Sequence, residues 1–359
     1  MTHPQRNLVY VGTYTSRGAE GIYAYRYDPT AGTLSPLGVT SGIVNPTFLA
    51  IHPDGRHLYA VNEVGEIDGQ PGGALSAYAI DAGTGALAFL NRQTTIGQGP
   101  CHVTLDQTGQ YAMAANYGSG SVAMLPILED GSLGEACDFH QHEGSGPDPR
   151  RQRGPHAHSV TISPDNRFAF AADLGLDKIM IYRIDLEQGK LVPNDVPFAS
   201  TYPEAGPRHF AFHPNQAIAY VINEMGNSVT VFGYDATQGT LDERQTLSTL
   251  PEGFEGTSHC ADIHISLSGS FLYGSNRGHD SIALFAVDHD DGTLTPIGHQ
   301  STMGKTPRNF GLAPNGDYML AANQDSNSIV AFRVDQESGQ LSPTGHVTQV
   351  PAPVCIQWL

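Results

Sequence analysis

One phrase recurs along this chain at intervals of about 51 residues. It is a small apolar strand, a Pro/Asp/Gly turn, a second strand, a polar loop, a third strand ending near Asp, a Gly turn and a short fourth strand. A clear copy runs from Gly206-Pro207-Arg208-His209 through Ala219–Glu224 and Ser228–Asp235 to Gly239-Thr240-Leu241. Another runs from Thr306-Pro307-Arg308-Asn309 through Met319–Gln324 and Ser328–Asp335 to Gly339-Gln340-Leu341. Aligning the first strands puts Thr47, Cys101, His158, Arg208, Ala261, Arg308 and Val354 at one equivalent position, in steps of 54, 57, 50, 53, 47 and 46 residues.

A period near 50 with four strands per unit is a propeller blade. Leucine-rich and helical repeats are shorter, and these segments alternate with period 2 rather than 3.6. The 41 Gly and 24 Pro supply the many turns such a chain needs. The WD40 subtype is excluded, since its Trp-Asp signature cannot recur with a single Trp, Trp358. The expected fold is all-β: a seven-bladed β-propeller, four antiparallel strands per blade, in one domain over 1–359. The sequence opens on a second strand, Leu8 to Thr13, and finishes on a lone first strand, Pro353 to Leu359. Each supplies what the other lacks, so 353–359 is expected to pair with the N-terminal blade. That closes the ring and removes exposed sheet edges.

Topology alone then selects site residues. In each blade the first strand is innermost, and its start lies at the same end as the end of the second strand. These positions ring one mouth of the central channel. Starts of first strands bring His102 (beside Cys101), His156, His158, Arg208, His209, His259, Asp262, Arg308 and Asn309. Ends of second strands bring Asn62-Glu63, Asn116-Tyr117, Asp173, Asn223-Glu224, Asn276-Arg277 and Asn323-Gln324. The opposite mouth carries ordinary turns such as Asp54-Gly55.

The formal net charge is −18, which repels nucleic acid and anionic membranes, so neither is an expected partner. Yet Arg208, Arg277 and Arg308 all fall on the one rim. A guanidinium fork suits phosphate or carboxylate, so the expected ligand is a small anionic molecule. The plainer alternative pairs each arginine with Glu63, Asp173, Glu224 or Asp262. Glu224 and His158 are the acid–base candidates. Arg308, His209, His102, Asn276, Asp262 and His156 are candidate substrate contacts. The recurring Asn at the second-strand ends also suits a structural cap.

No metal and no cofactor is expected. His140-Gln141-His142 has ligand spacing without a third ligand nearby. There is no GxSxG elbow, P-loop or GxGxxG after a strand. The stretch from Gly144 to Gly154, with Arg150, Arg151 and Arg153, reads as a long surface loop able to fold over the mouth. A polar start without an apolar h-region, and four well-separated cysteines without a CxxC pair, point to the cytoplasm.

Gly206-Pro207-Arg208-His209, Asn223-Glu224, Ala261-Asp262-Ile263-His264, Asn276-Arg277 and Thr306-Pro307-Arg308 together resemble the propeller lactonase family. That family includes cycloisomerase-type 6-phosphogluconolactonases and carboxymuconate-lactonizing enzymes. The resemblance covers essentially the whole chain. It implies a seven-bladed propeller with the active site in the central cleft, and positions matching His158, Arg208, Glu224 and Arg277 within it. The implied reaction is hydrolysis of a sugar-acid lactone, foremost 6-phosphogluconolactone. The alternatives are cycloisomerisation of a carboxymuconate and a non-catalytic propeller that serves as an interaction platform. The chain departs from the pattern in its insertion between Cys137 and Pro155, which bears on the shape of the pocket.

Overall fold

The computed structural model describes residues 7–67, 69–214 and 217–359. Seven four-stranded antiparallel sheets follow one another round a ring. From channel to rim, the first blade is Pro353–Trp358, Leu8–Thr13, Gly21–Asp28 and Thr33–Ser41. The second is Leu49–Ile51, His57–Asn62, Ala74–Ile80 and Leu87–Thr94, with a small hairpin, Glu66–Ile67 and Gln70–Pro71, inserted after its second strand. The innermost strands of blades three to seven are Pro100–Leu105, Ala157–Ile162, Pro207–Phe212, His259–Ile265 and Pro307–Leu312. Each innermost strand touches that of the next blade, all the way round.

Closure is the composite blade that the sequence predicts. Val9 faces Trp358 and Val11 faces Ile356 in antiparallel register. Leu8 and Leu359 exchange both backbone hydrogen bonds, at 3.1 and 2.9 Å.

The core is divided as the ring is. Among the described residues there are seven apolar clusters, one at each blade interface. The closing interface, for example, packs Val9, Val11 and Ile356 against Tyr318, Leu320 and Ile329 of the seventh blade. Each blade thus buries both faces, which explains second strands such as Ile218–Asn223 that read as continuous apolar runs.

Two local devices repeat. The third-to-fourth strand turn is Asp-x-x-x-Gly: Asp235 caps the amides of Thr237 and Gln238, and Gly239 takes φ +68°, a conformation only glycine adopts at little cost. Tyrosines of second strands then reach the glycine carbonyl of the next blade's turn. Tyr10 donates to Gly85, Tyr59 to Gly131, Tyr220 to Gly292 and Tyr273 to Gly339, at 2.9 to 3.1 Å.

Candidate functional site

The position aligned from sequence proves special in the backbone. In six blades the pairing register between first and second strands shifts there, leaving Cys101, His158, Arg208, Arg308, Val354 and the pair Ala261-Asp262 unpaired. These are β-bulges, which locally re-aim side chains. Consecutive residues of one strand can therefore both face the channel: Arg208 Nη1 lies 3.1 Å from Nε2 of its neighbour His209. The residue just after each second-strand Asn or Asp is also fixed. Glu224 N–H donates to Gly206 O at 2.7 Å, and Tyr117 N–H to Gly99 O at 2.9 Å.

Glu224 is the hub. Its Oε2 lies 3.1 Å from Arg208 Nε and 2.6 Å from Arg277 Nη2, and its Oε1 lies 2.7 Å from Arg151 Nη2. Burial acts to raise its pKa, but Arg277, Arg208, His158 and Arg151 together hold it well below the usual carboxylate range. Arg208 is pushed down to about 10 by burial and by the neighbouring Arg277 and Arg308. Its Nη1 also donates to Ala261 O at 2.5 Å. Arg277 donates to Cys260 O at 2.7 Å.

His158 is buried beside this group, with Nδ1 3.7 Å from Cys101 Sγ and its ring edge-on to Tyr117 and His209. Burial, then Arg208 and His209, push its pKa well below 6.5, so the imidazole is neutral at pH 7. Arg308 stands over the Tyr14 ring at 5.6 Å. Among the described residues it makes no ion pair within 4 Å, whereas Glu63 is held by Tyr14 and Thr47.

Behind Arg208 lies a second buried chain. His209 Nε2 accepts from Arg208, so its proton sits on Nδ1 and is donated to Asp262 Oδ1 at 2.7 Å. Asp262 Oδ2 takes His264 Nε2 at 3.0 Å and Asn309 Nδ2 at 2.5 Å. His209 and Asp262 thus act on the cluster through Arg208.

Of the other residues picked from sequence, His156 stacks on Tyr117 at 4.6 Å near the mouth. His102 sits deeper, 4.2 Å from the Phe48 ring, and lines a cavity of about 370 Å³ with Ile51, Pro53, Leu105 and Asp106 towards the opposite mouth. Asn276 is not brought into the cluster: fully buried, it donates to Thr249 O and Ser281 Oγ and accepts from Thr249 Oγ1. Asn116, Asn223 and Asn323 make similar ties, as the capping reading predicts.

Arg151, which the sequence places in a surface loop, reaches Glu224 as well. His142, in the same insertion, is committed elsewhere: Nδ1 lies 2.6 Å from Asp173 and Nε2 2.9 Å from Tyr182 Oη. His52, Asp54 and His57 also converge, with both imidazoles 3.0 Å from the carboxylate. There His52 Nε2 donates to Gly109 O and Nδ1 accepts the Asp54 N–H. His213 makes the same contact to Gly269 O, so His52 is a blade-to-blade tie.

The family description "Lactonase, 7-bladed beta-propeller" matches residues 8–358. The chain belongs to this family. A Bacillus subtilis protein named 6-phosphogluconolactonase is 39% identical over 350 residues, covering 98% of this chain and 97% of the relative. A Formosa agariphila protein of the same name is 34% identical over 312 residues, 86% of each. The solved periplasmic gluconolactonase of Pseudomonas aeruginosa is 36% identical, with a TM-score of 0.93 and 98% of each chain covered. The family is enzymatic, and its members named 6-phosphogluconolactonase and gluconolactonase are lactone hydrolases. The arginine-ringed carboxylate of this propeller lactonase directly follows the second strand of the fifth blade, Ile218–Asn223. No helix among the described residues is long and apolar enough to cross a membrane.

Proposed function

We propose that this propeller lactonase hydrolyses an anionic sugar-acid lactone, foremost 6-phosphogluconolactone, at the Glu224 cluster. One observation carries the reading: an ionised, buried carboxylate shared by three guanidiniums, beside a neutral histidine and a fourth guanidinium, Arg308, with no ion pair among the described residues. Three arginines on one carboxylate leave positive charge in excess within a protein of net charge −18. That excess suits a phosphate or carboxylate, which agrees with the names of the relatives.

In the proposed reaction Glu224 takes a proton from water as the oxygen attacks the lactone carbonyl carbon. Arg208 and Arg277 stabilise the negative charge that develops on the carbonyl oxygen. The tetrahedral intermediate collapses, the ring C–O bond breaks, and the proton returns through His158 to the departing ring oxygen. Arg308, which has no carboxylate partner within 4 Å among the described residues, anchors the substrate's anionic group. His209 and Asp262 hold Arg208 in place.

The reading includes a cytoplasmic setting, since all four cysteines are free thiols. Its test is a coupled assay of phosphogluconolactone loss, corrected for spontaneous hydrolysis, with carboxymuconate as the competing substrate. Hydrolysis well above background supports the proposal. Turnover of carboxymuconate alone would assign cycloisomerisation instead.

A further inference from the structure

We propose that Arg151 selects anionic lactones by exchanging Glu224 for the anionic group of the substrate, which frees the carboxylate to act. This rests on the reading of Glu224 as the base. The two carboxylate oxygens are not equivalent. Oε2 is held from inside by Arg208 and Arg277, whose side chains are 3% and 14% exposed. Oε1 has one partner among the described residues, Arg151, whose side chain is 36% exposed. Of the three guanidiniums on Glu224, that of Arg151 is the most open to solvent.

The backbone that carries Arg151 is fixed. Asp148 Oδ1 accepts the amides of Arg150 and Arg151 at 2.6 and 2.9 Å. Gln152, fully buried, donates to Leu174 O and Asp177 Oδ1. The insertion is therefore anchored to the fourth blade, and only the long arginine side chain is free to swing. Tyr117 Oη, 3.4 Å from Arg151 Nη2, flanks its path.

With Arg151 in place, Glu224 is a poor base, because a third guanidinium stabilises its ionised form over the protonated one. The Arg151 guanidinium is partly open to solvent, and Glu224 keeps Arg208 and Arg277 when Arg151 leaves; a phosphate offers Arg151 more charge and more acceptor oxygens than the carboxylate. A phosphorylated lactone therefore draws Arg151 away and uncovers Oε1. A neutral lactone offers only hydroxyl groups, so Arg151 stays on Glu224 and the base stays covered. One residue then both binds the charged substrate and withholds catalysis from the uncharged one.

Effects of opposite sign on two substrates test this. The wild type and R151Q are assayed on 6-phosphoglucono-δ-lactone and glucono-δ-lactone, with spontaneous hydrolysis subtracted and thermal melts recorded. For R151Q, kcat/KM on the phosphorylated lactone is expected to fall by about tenfold or more, mainly through KM, as for one lost charge-assisted hydrogen bond. On the neutral lactone kcat/KM is expected to rise. A parallel loss on both, or no change on either, overturns the exchange while leaving the lactonase reading intact. A wild type inactive on both overturns the lactonase reading itself.

Discussion

At the residue scale, the site is decided by which groups share a partner. Four histidines in or beside the channel differ only in their neighbours. His264, on Asp262, is raised despite its burial. His102 and His158 are lowered, by burial first and then by His209 and Arg208 respectively. His209 is pushed down to about 4 by burial and then by Arg208. An unfolded histidine takes a proton below about 6.5, while folded His209 stays neutral to about 4. Between those values the unfolded state binds more protons, so stability falls as pH falls from about 6.5 to 4. Replacing His209 with Gln removes that contribution. Melting temperatures measured from pH 7 to 4 should drop less steeply in H209Q than in the wild type. Parallel curves would mean that His209 does not titrate in this way. Arg208, Glu224, Arg277 and His158 were legible in the sequence because strand register places them. Arg151 was not, because no register fixes a loop, although its basic run beside Pro155 marked the segment as one that could cover the mouth.

At the element scale, the repeat predicted where strands start and stop but not how they bend. The bulges at Cys101, His158, Arg208 and Arg308 leave no mark in the residue types, yet at Arg208 the bulge brings consecutive side chains, Arg208 and His209, together. Alternation explains Asn276 as well. It occupies a second-strand end, as expected, but points between blades, while the next residue, Arg277, points to the site. His102 lies on the strand the repeat assigns it, one residue past the bulge, and so faces further down the channel. The ties between blades make a separate prediction. Tyr220 Oη donates to Gly292 O at 3.0 Å in the interior. Replacing Tyr220 with Phe leaves that carbonyl unsatisfied, at a cost of about 1–2 kcal/mol. Urea denaturation should show the loss as a lower midpoint with an unchanged slope. An unaltered midpoint would deny these ties a part in blade packing.

At the scale of the whole molecule, regularity and function divide the chain between them. Seven similar interfaces close the ring, and one mouth gathers the residues in which the copies differ. Closure was readable because 8–13 and 353–359 each lack a neighbour that the other provides. It is also the fold's most exposed dependency. Val354, Cys355 and Ile356 are each under 5% exposed, and burying such side chains stabilises by about 1.5–3 kcal/mol apiece. Deleting 353–359 should therefore lower the melting temperature by about 10 °C or more, or cause aggregation through the bared Leu8–Thr13 edge. A deletion mutant as stable as the full chain would contradict the closed ring. The ring in turn brings Arg208, Arg277 and Arg151, from three different segments, onto one carboxylate, that of Glu224. The role of Glu224 as base is tested by kcat/KM for 6-phosphoglucono-δ-lactone in the wild type and E224Q, at pH 7, with spontaneous hydrolysis subtracted. Clear turnover by the wild type and a loss of about 100-fold or more in a folded E224Q protein are expected. Equal rates in the two proteins would contradict it.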